Sequence, residues 1–169
     1  MVFLRATAKL LAKLPTPSAP DGSSDTALGD WYATTLVVDR KPLLLLVSSG
    51  SLLPIVLPAR ELRQLPHRLP EIVRARLERF GEPGDLVAAE VRAMAPVVVT
   101  KTVDRSVVGI MVECVRDIPY FLERGAWDES TLPSLERWLA ETPWRASQRE
   151  CVFTEIATPQ RLAAKWHAS

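Results

Sequence analysis

The chain is short of several things that would announce a function. Of its 169 residues, two are cysteine and two are histidine. Cys114 and Cys151 cannot build a disulfide framework, and His67 and His167 leave little for a zinc site or a catalytic triad. Seven glycines are present, and their spacing makes neither a dinucleotide loop nor a phosphate loop. No serine sits in a Gly-x-Ser-x-Gly turn. No apolar run reaches the ~18 residues that a membrane span needs. The opening residues lack the basic-then-apolar order of a signal peptide, so the expected location is the cytoplasm. Charge of one sign is missing too: 21 Lys+Arg face 20 Asp+Glu, a net charge of +1. That leaves no global field to recruit nucleic acid or an acidic membrane. No cofactor is implied.

What is present is ordinary globular material, 47% apolar and 24% charged. The length suits a single domain over residues 1–169, with a flexible loop at 15–27 and a Trp-rich, helical C-terminal part at 126–169. Val2 to Thr7 reads as a strand, and Thr7 as the cap of a short helix. Trp31 to Val38, Leu43 to Val47 and Leu52 to Leu57 read as an antiparallel meander. Leu43 to Val47 is apolar at every position, which suits a central strand covered on both faces. Pro54 suits an edge strand. Helices are expected from Pro70 to Phe80, Asp85 to Met94 and Val107 to Val115, the last ended or kinked by Pro119. Val97 to Thr102 and Cys151 to Ile156 read as further strands, before a last helix over Gln160 to His167. The expected class is α+β: a mixed, largely antiparallel sheet with helices packed mainly on one side.

Two polar clusters stand out. Lys101-Thr-Val-Asp-Arg-Ser106 lies between a strand and a helix, where backbone N–H groups can meet an anion that Lys101 or Arg105 neutralises. The simpler account has Asp104 and Ser106 capping the helix and Arg105 pairing with a carboxylate. In Leu28-Gly-Asp-Trp-Tyr32, Gly29 permits a bend, Asp30 can hold backbone, and Trp31 either stacks on a ligand ring or anchors the sheet. The candidate ligand-binding residues are therefore Asp30, Trp31, Lys101, Asp104, Arg105 and Ser106, with no catalytic or metal set. Trp127, Trp138, Trp144 and Trp166 crowd the last third and suggest helices packing onto the sheet.

Leu28-Gly-Asp-Trp-Tyr-Ala33, with the strand, Asp39-Arg40 and the second strand that follow, resembles an uncharacterised bacterial family, a domain of unknown function with family number 6933. Three more pieces match in order: Leu4-Arg-Ala-Thr with Lys9-Leu-Leu11, Lys101-Thr with Asp104-Arg-Ser-Val-Val-Gly109, and Leu139-Ala-Glu-Thr-Pro143. Where members commonly carry Asn, this chain has Ala33-Thr34 and Val112-Glu113. The resemblance implies a standalone cytoplasmic α+β domain in bacteria, and it supplies no reaction.

The leading functional expectation is a non-enzymatic domain that binds a protein partner or forms a homo-oligomer. The alternative is a nucleic-acid-binding or nucleic-acid-processing domain. It would use the Lys101–Ser106 loop together with the Arg-rich helix over 70–80, with Arg63 and Arg68 adding to the local positive excess. A basic face joining that helix to the loop would favour the alternative.

Overall fold

A computed structural model describes residues 1–15, 22–60, 62–123, 125–144 and 151–167. Five strands form one sheet in the order β4-β3-β2-β1-β5. They are β1 (Val2–Ala6), β2 (Trp31–Val38), β3 (Lys41–Ser48), β4 (Pro54–Pro58) and β5 (Val97–Lys101). The meander β2-β3-β4 is antiparallel, while β1 runs parallel to both β2 and β5. The sheet is therefore mixed, and the α+β class holds. The parallel half could not be read from composition, because β5 returns to β1 across more than 90 residues of chain.

Side chains alternate across the pleat, so each central strand feeds two cores. Trp31, Ala33, Leu44, Leu46 and Ile55 point to one face, under α1 (Ala8–Leu11), α2 (Leu65–Phe80), α3 (Gly84–Ala93) and α6 (Thr154–Trp166). Tyr32, Leu36, Leu43, Leu45 and Val56 point to the other, under α4 (Arg105–Phe121) and α5 (Leu132–Glu141). Four helices thus crowd the first face, and the second carries the remaining two. Leu43 to Val47 is buried throughout, as a central strand covered on both faces should be. β4 is an outer strand, as Pro54 indicated.

Several boundaries differ from expectation. The second helix starts at Leu65, with Pro66 in its first turn and Pro70 inside it. A short 3-10 turn over Leu62–Gln64 leads into it; Pro66 falls where no amide donor is needed, whereas Pro70 costs the helix one backbone bond without ending it. The fourth helix runs past Pro119 to Phe121, losing one backbone bond rather than ending. Thr7 occupies the N-cap position as expected, but its hydroxyl makes no capping bond and meets Thr34 Oγ1 at 3.1 Å instead. The expected last strand reduces to a bridge between Trp144 and Val152, and the final helix begins at Thr154. Buried threonines explain that early start: Thr158 Oγ1 donates to Ser51 Oγ (2.9 Å) and lies 3.3 Å from Thr154 Oγ1, fixing the helix to the turn before β4. Of the expected loop at 15–27, residues 16–21 lie outside the described residues, as do 145–150, 168 and 169 of the C-terminal part.

A buried carboxylate ties the first face together. Glu90 on α3 is inaccessible to solvent. It accepts the Ala27 and Leu28 amides at 2.8 and 3.0 Å and the Trp166 indole N–H at 2.8 Å, joining the segment before β2 to the last helix. Removing an acceptor from buried donors costs the desolvation of each group. Glu90→Ala is therefore expected to destabilise the fold by roughly 3 kcal/mol or more, and Glu90→Gln by less, since one acceptor oxygen survives. Urea unfolding of the two variants checks the order.

Candidate functional site

Five of the six residues singled out from sequence divide between two networks and a core, and Arg105 stands exposed. Asp30 ends the approach to β2 and faces Arg5 on β1. Arg5 Nε donates to Asp30 Oδ2, and Ser24 Oγ donates to Oδ1 at 2.6 Å. Arg5 also donates to the Lys101 carbonyl at 3.2 Å and lies over the Phe3 ring, 4.9 Å from its centroid. Lys101 thus joins through its backbone. Its side chain is exposed, and strand alternation sends it to the face opposite Arg5.

Asp104 is the N-cap of α4. Its Oδ1 accepts the Ser106 amide at 2.9 Å and the Ser106 hydroxyl at 2.5 Å. The Asp104 amide in turn donates to the Tyr32 hydroxyl at 3.0 Å. Arg105 is exposed on the first turn of the helix. Trp31 is fully buried in the opposite core and anchors the sheet. Its Nε1 has no hydrogen-bond partner among the described residues.

The Leu28–Asp30 segment has its own structural reason. The Gly50 amide donates to the Leu28 carbonyl at 2.9 Å, Ser49 N–H to the Asp30 carbonyl at 2.8 Å, and Asp30 N–H to Ser49 Oγ at 2.9 Å. Gly29 adopts φ +75°, and a Cβ there would fall 2.5 Å from Ser49 Oγ. Only glycine allows that turn at that approach. This motif docks the entry to β2 onto the β3–β4 turn.

Next to these networks the sheet has an unfinished edge. β1 pairs with β2 as far as Ala6 opposite Ala33, and the Thr7 amide donates to the Ala33 carbonyl at 3.1 Å. β2 continues to Val38, paired with β3 alone. Backbone direction alternates along a strand. Ala33 faces β1 while Asp30 faces β3, so Thr35 and Val37 also turn their N–H and C=O groups towards the β1 side. No backbone partner meets those groups among the described residues. Beside them, between β2 and α4, is a hollow of about 200 Å³ lined by Thr7, Thr34, Val108, Met111, Val112 and Val115. Val112 and Val37 are each 62% exposed.

The opposite edge is closed. Along β4 the residues that face outward are Pro54, Val56 and Pro58, and the two prolines carry no N–H. The Val56 amide donates to Glu136 Oε2 on α5 at 3.0 Å, and Arg76 Nε on α2 donates to the Pro54 carbonyl at 2.9 Å. Arg79 Nη2 reaches both Glu136 oxygens at 3.0 and 3.2 Å, and Arg76 Nε lies 3.6 Å from Oε2. Burial is the largest influence on both partners: it raises the Glu136 carboxyl above its ordinary value and lowers the Arg76 guanidinium.

Sequence reasoning did not single out Arg5, Glu90 or Glu136. The last two carry a readable signal, a carboxylate on the apolar stripe of its helix. Cys114, buried on α4, has its thiol pushed up to about 12 by burial, with Asp117 and Glu113 adding to the rise. It is no nucleophile near neutral pH. Among the described residues no three His, Cys, Asp or Glu side chains come together as metal ligands.

The chain belongs to the family described as Domain of unknown function (DUF6933), whose model matches residues 3–155. No curated protein and no solved structure matches it.

Burial raises the Tyr32 phenol above its ordinary value of 10.0, more than the Asp104 amide lowers it. The stabilisation linked to this group is complete below about pH 10 and is lost as pH rises through the folded-state value, because the unfolded phenol ionises first. Tyr32→Phe is expected to cost about 1 kcal/mol at pH 7 through the orphaned Asp104 amide. It should also lose less stability than the wild type between about pH 9 and 11. Chemical denaturation across that range measures both.

Proposed function

We propose that this chain is a non-enzymatic protein-binding domain, and that its docking surface is the open end of β2 beside α4. The occupant is an extended segment of a partner chain. The observation that carries this reading is the contrast between edges: β4 has its outward donors removed or occupied, while Thr35 and Val37 keep theirs. Protected edges are the norm because open ones recruit strands. A strand laid there satisfies those backbone groups and sets alternate side chains against Val108 and Val112. The polar residues favoured from sequence support the same reading, since Asp30, Asp104 and Ser106 already serve as hydrogen-bond partners within the fold.

What tells against the nucleic-acid alternative is placement: α2 covers one face of the sheet, while Arg105 lies on α4 over the other. Arg74, Arg76 and Arg79 are paired with Glu71 or Glu136. What favours it is a separate groove of about 900 Å³ whose wall carries Lys13, Arg63, His67 and Arg68, with no carboxylate among the described lining residues.

A displayed random-peptide library selected against the folded protein tests the choice. Enriched peptides with apolar residues at alternate positions are expected, with at least tenfold weaker binding to Val112→Glu. Because Val112 is exposed, that variant should fold normally. Peptides indifferent to Val112→Glu contradict the reading. Salt-sensitive binding of a single-stranded oligonucleotide that depends on Arg63 and Arg68 would favour the alternative.

A further inference from the structure

α2 and α5 approach from opposite faces and meet around the β4 edge, leaving a cleft of about 520 Å³ between them. Three guanidinium groups line it: Arg76 and Arg79 from α2 and Arg137 from α5. Glu136 supplies the nearest opposite charge, and its oxygens are already engaged by Val56 N–H and Arg79, with Arg76 in ion-pair range. Glu155 stands exposed on the α6 side of the cleft. The lining therefore carries three positive charges against two negative ones.

Donor capacity remains unfilled. The Arg76 side chain is 5% exposed, and its Nη2 is buried with no hydrogen-bond partner among the described residues. Such a group is costly in a folded chain unless something completes it. Arg137 is exposed and forms no ion pair among the described residues. A planar guanidinium fork suits the paired oxygens of a carboxylate or phosphate. Beside the cations lie Phe80, stacked 5.3 Å from the Arg76 guanidinium, and the aliphatic surfaces of Pro133 and Ala140.

We propose that this cleft binds a small organic oxyanion, a carboxylate or phosphate carried on an apolar body, with Arg79 and Arg137 gripping the anion, Arg76 completing its shell, and Phe80, Pro133 and Ala140 receiving the body. The site is independent of the β2 edge, because it lies at the far side of the sheet.

Isothermal titration of the full chain with phenyl phosphate, benzoate and inorganic phosphate, at ionic strength held constant with sodium chloride, tests it. Saturable binding of phenyl phosphate or benzoate is expected, weakened at least tenfold by Arg137→Gln and unchanged by Arg105→Gln, which removes an exposed arginine from another helix. Amide resonances of Phe80 and Ala140 should move on titration. No saturation beyond the chloride control, or equal affinity in Arg137→Gln, overturns the site. Inorganic phosphate binding as tightly as phenyl phosphate overturns the role given to the apolar wall.

Discussion

Every outward backbone group of a sheet needs a partner, and the two sides of this meander meet that demand in opposite ways. At β4, Pro54 and Pro58 remove two donors and Glu136 takes the third, held there by Arg76 and Arg79. The same contacts draw α2 and α5 together around the edge, so one buried carboxylate joins the helical layers of both faces. At β2 the partner strand stops three residues in, and nothing among the described residues replaces it further along. The candidate docking surface is thus what the strand lengths leave over.

The motif residues make sense in the same frame. Gly29 and Asp30 fasten the start of β2 to the β3–β4 turn, and Asp30 receives Arg5 from β1. Asp104 and Ser106 begin α4 and hold it to Tyr32 at the same end of the sheet. These contacts orient α4 over β2, which fixes the width of the hollow where Val108 and Val112 lie. Their part in any binding is to position that wall.

Much of this was legible in the sequence and some was not, for identifiable reasons. The apolar run Leu43 to Val47 suited a strand between two cores, and Pro54 suited an edge better than the middle of a sheet. Asp104 and Ser106 before an apolar helical stripe both read as caps, and Asp104 takes the role with Ser106 as its donor. Helix ends were misjudged where tertiary contacts outweighed local breakers, as with Thr154 and Thr158 starting α6 upstream of Pro159. Glu90 and Glu136 were written into their helices: each shares the i, i+3, i+4 stripe of buried leucines and valines, where a solvated carboxylate does not belong. Arg76 follows the same rule between Val73 and Leu77. The donors these groups would meet are distant in sequence, and that pairing needed the fold.

Native-state amide hydrogen exchange, read residue by residue, tests the contrast between the two edges most directly. The Thr35 and Val37 amides should exchange fast although they lie within a strand, while Thr34 and Leu36, bonded to β3, stay protected. Val56, on an outer strand, should be protected through Glu136. Val37 as well protected as Leu36, or Val56 exchanging as fast as Val37, would contradict an open β2 edge and a sealed β4 edge.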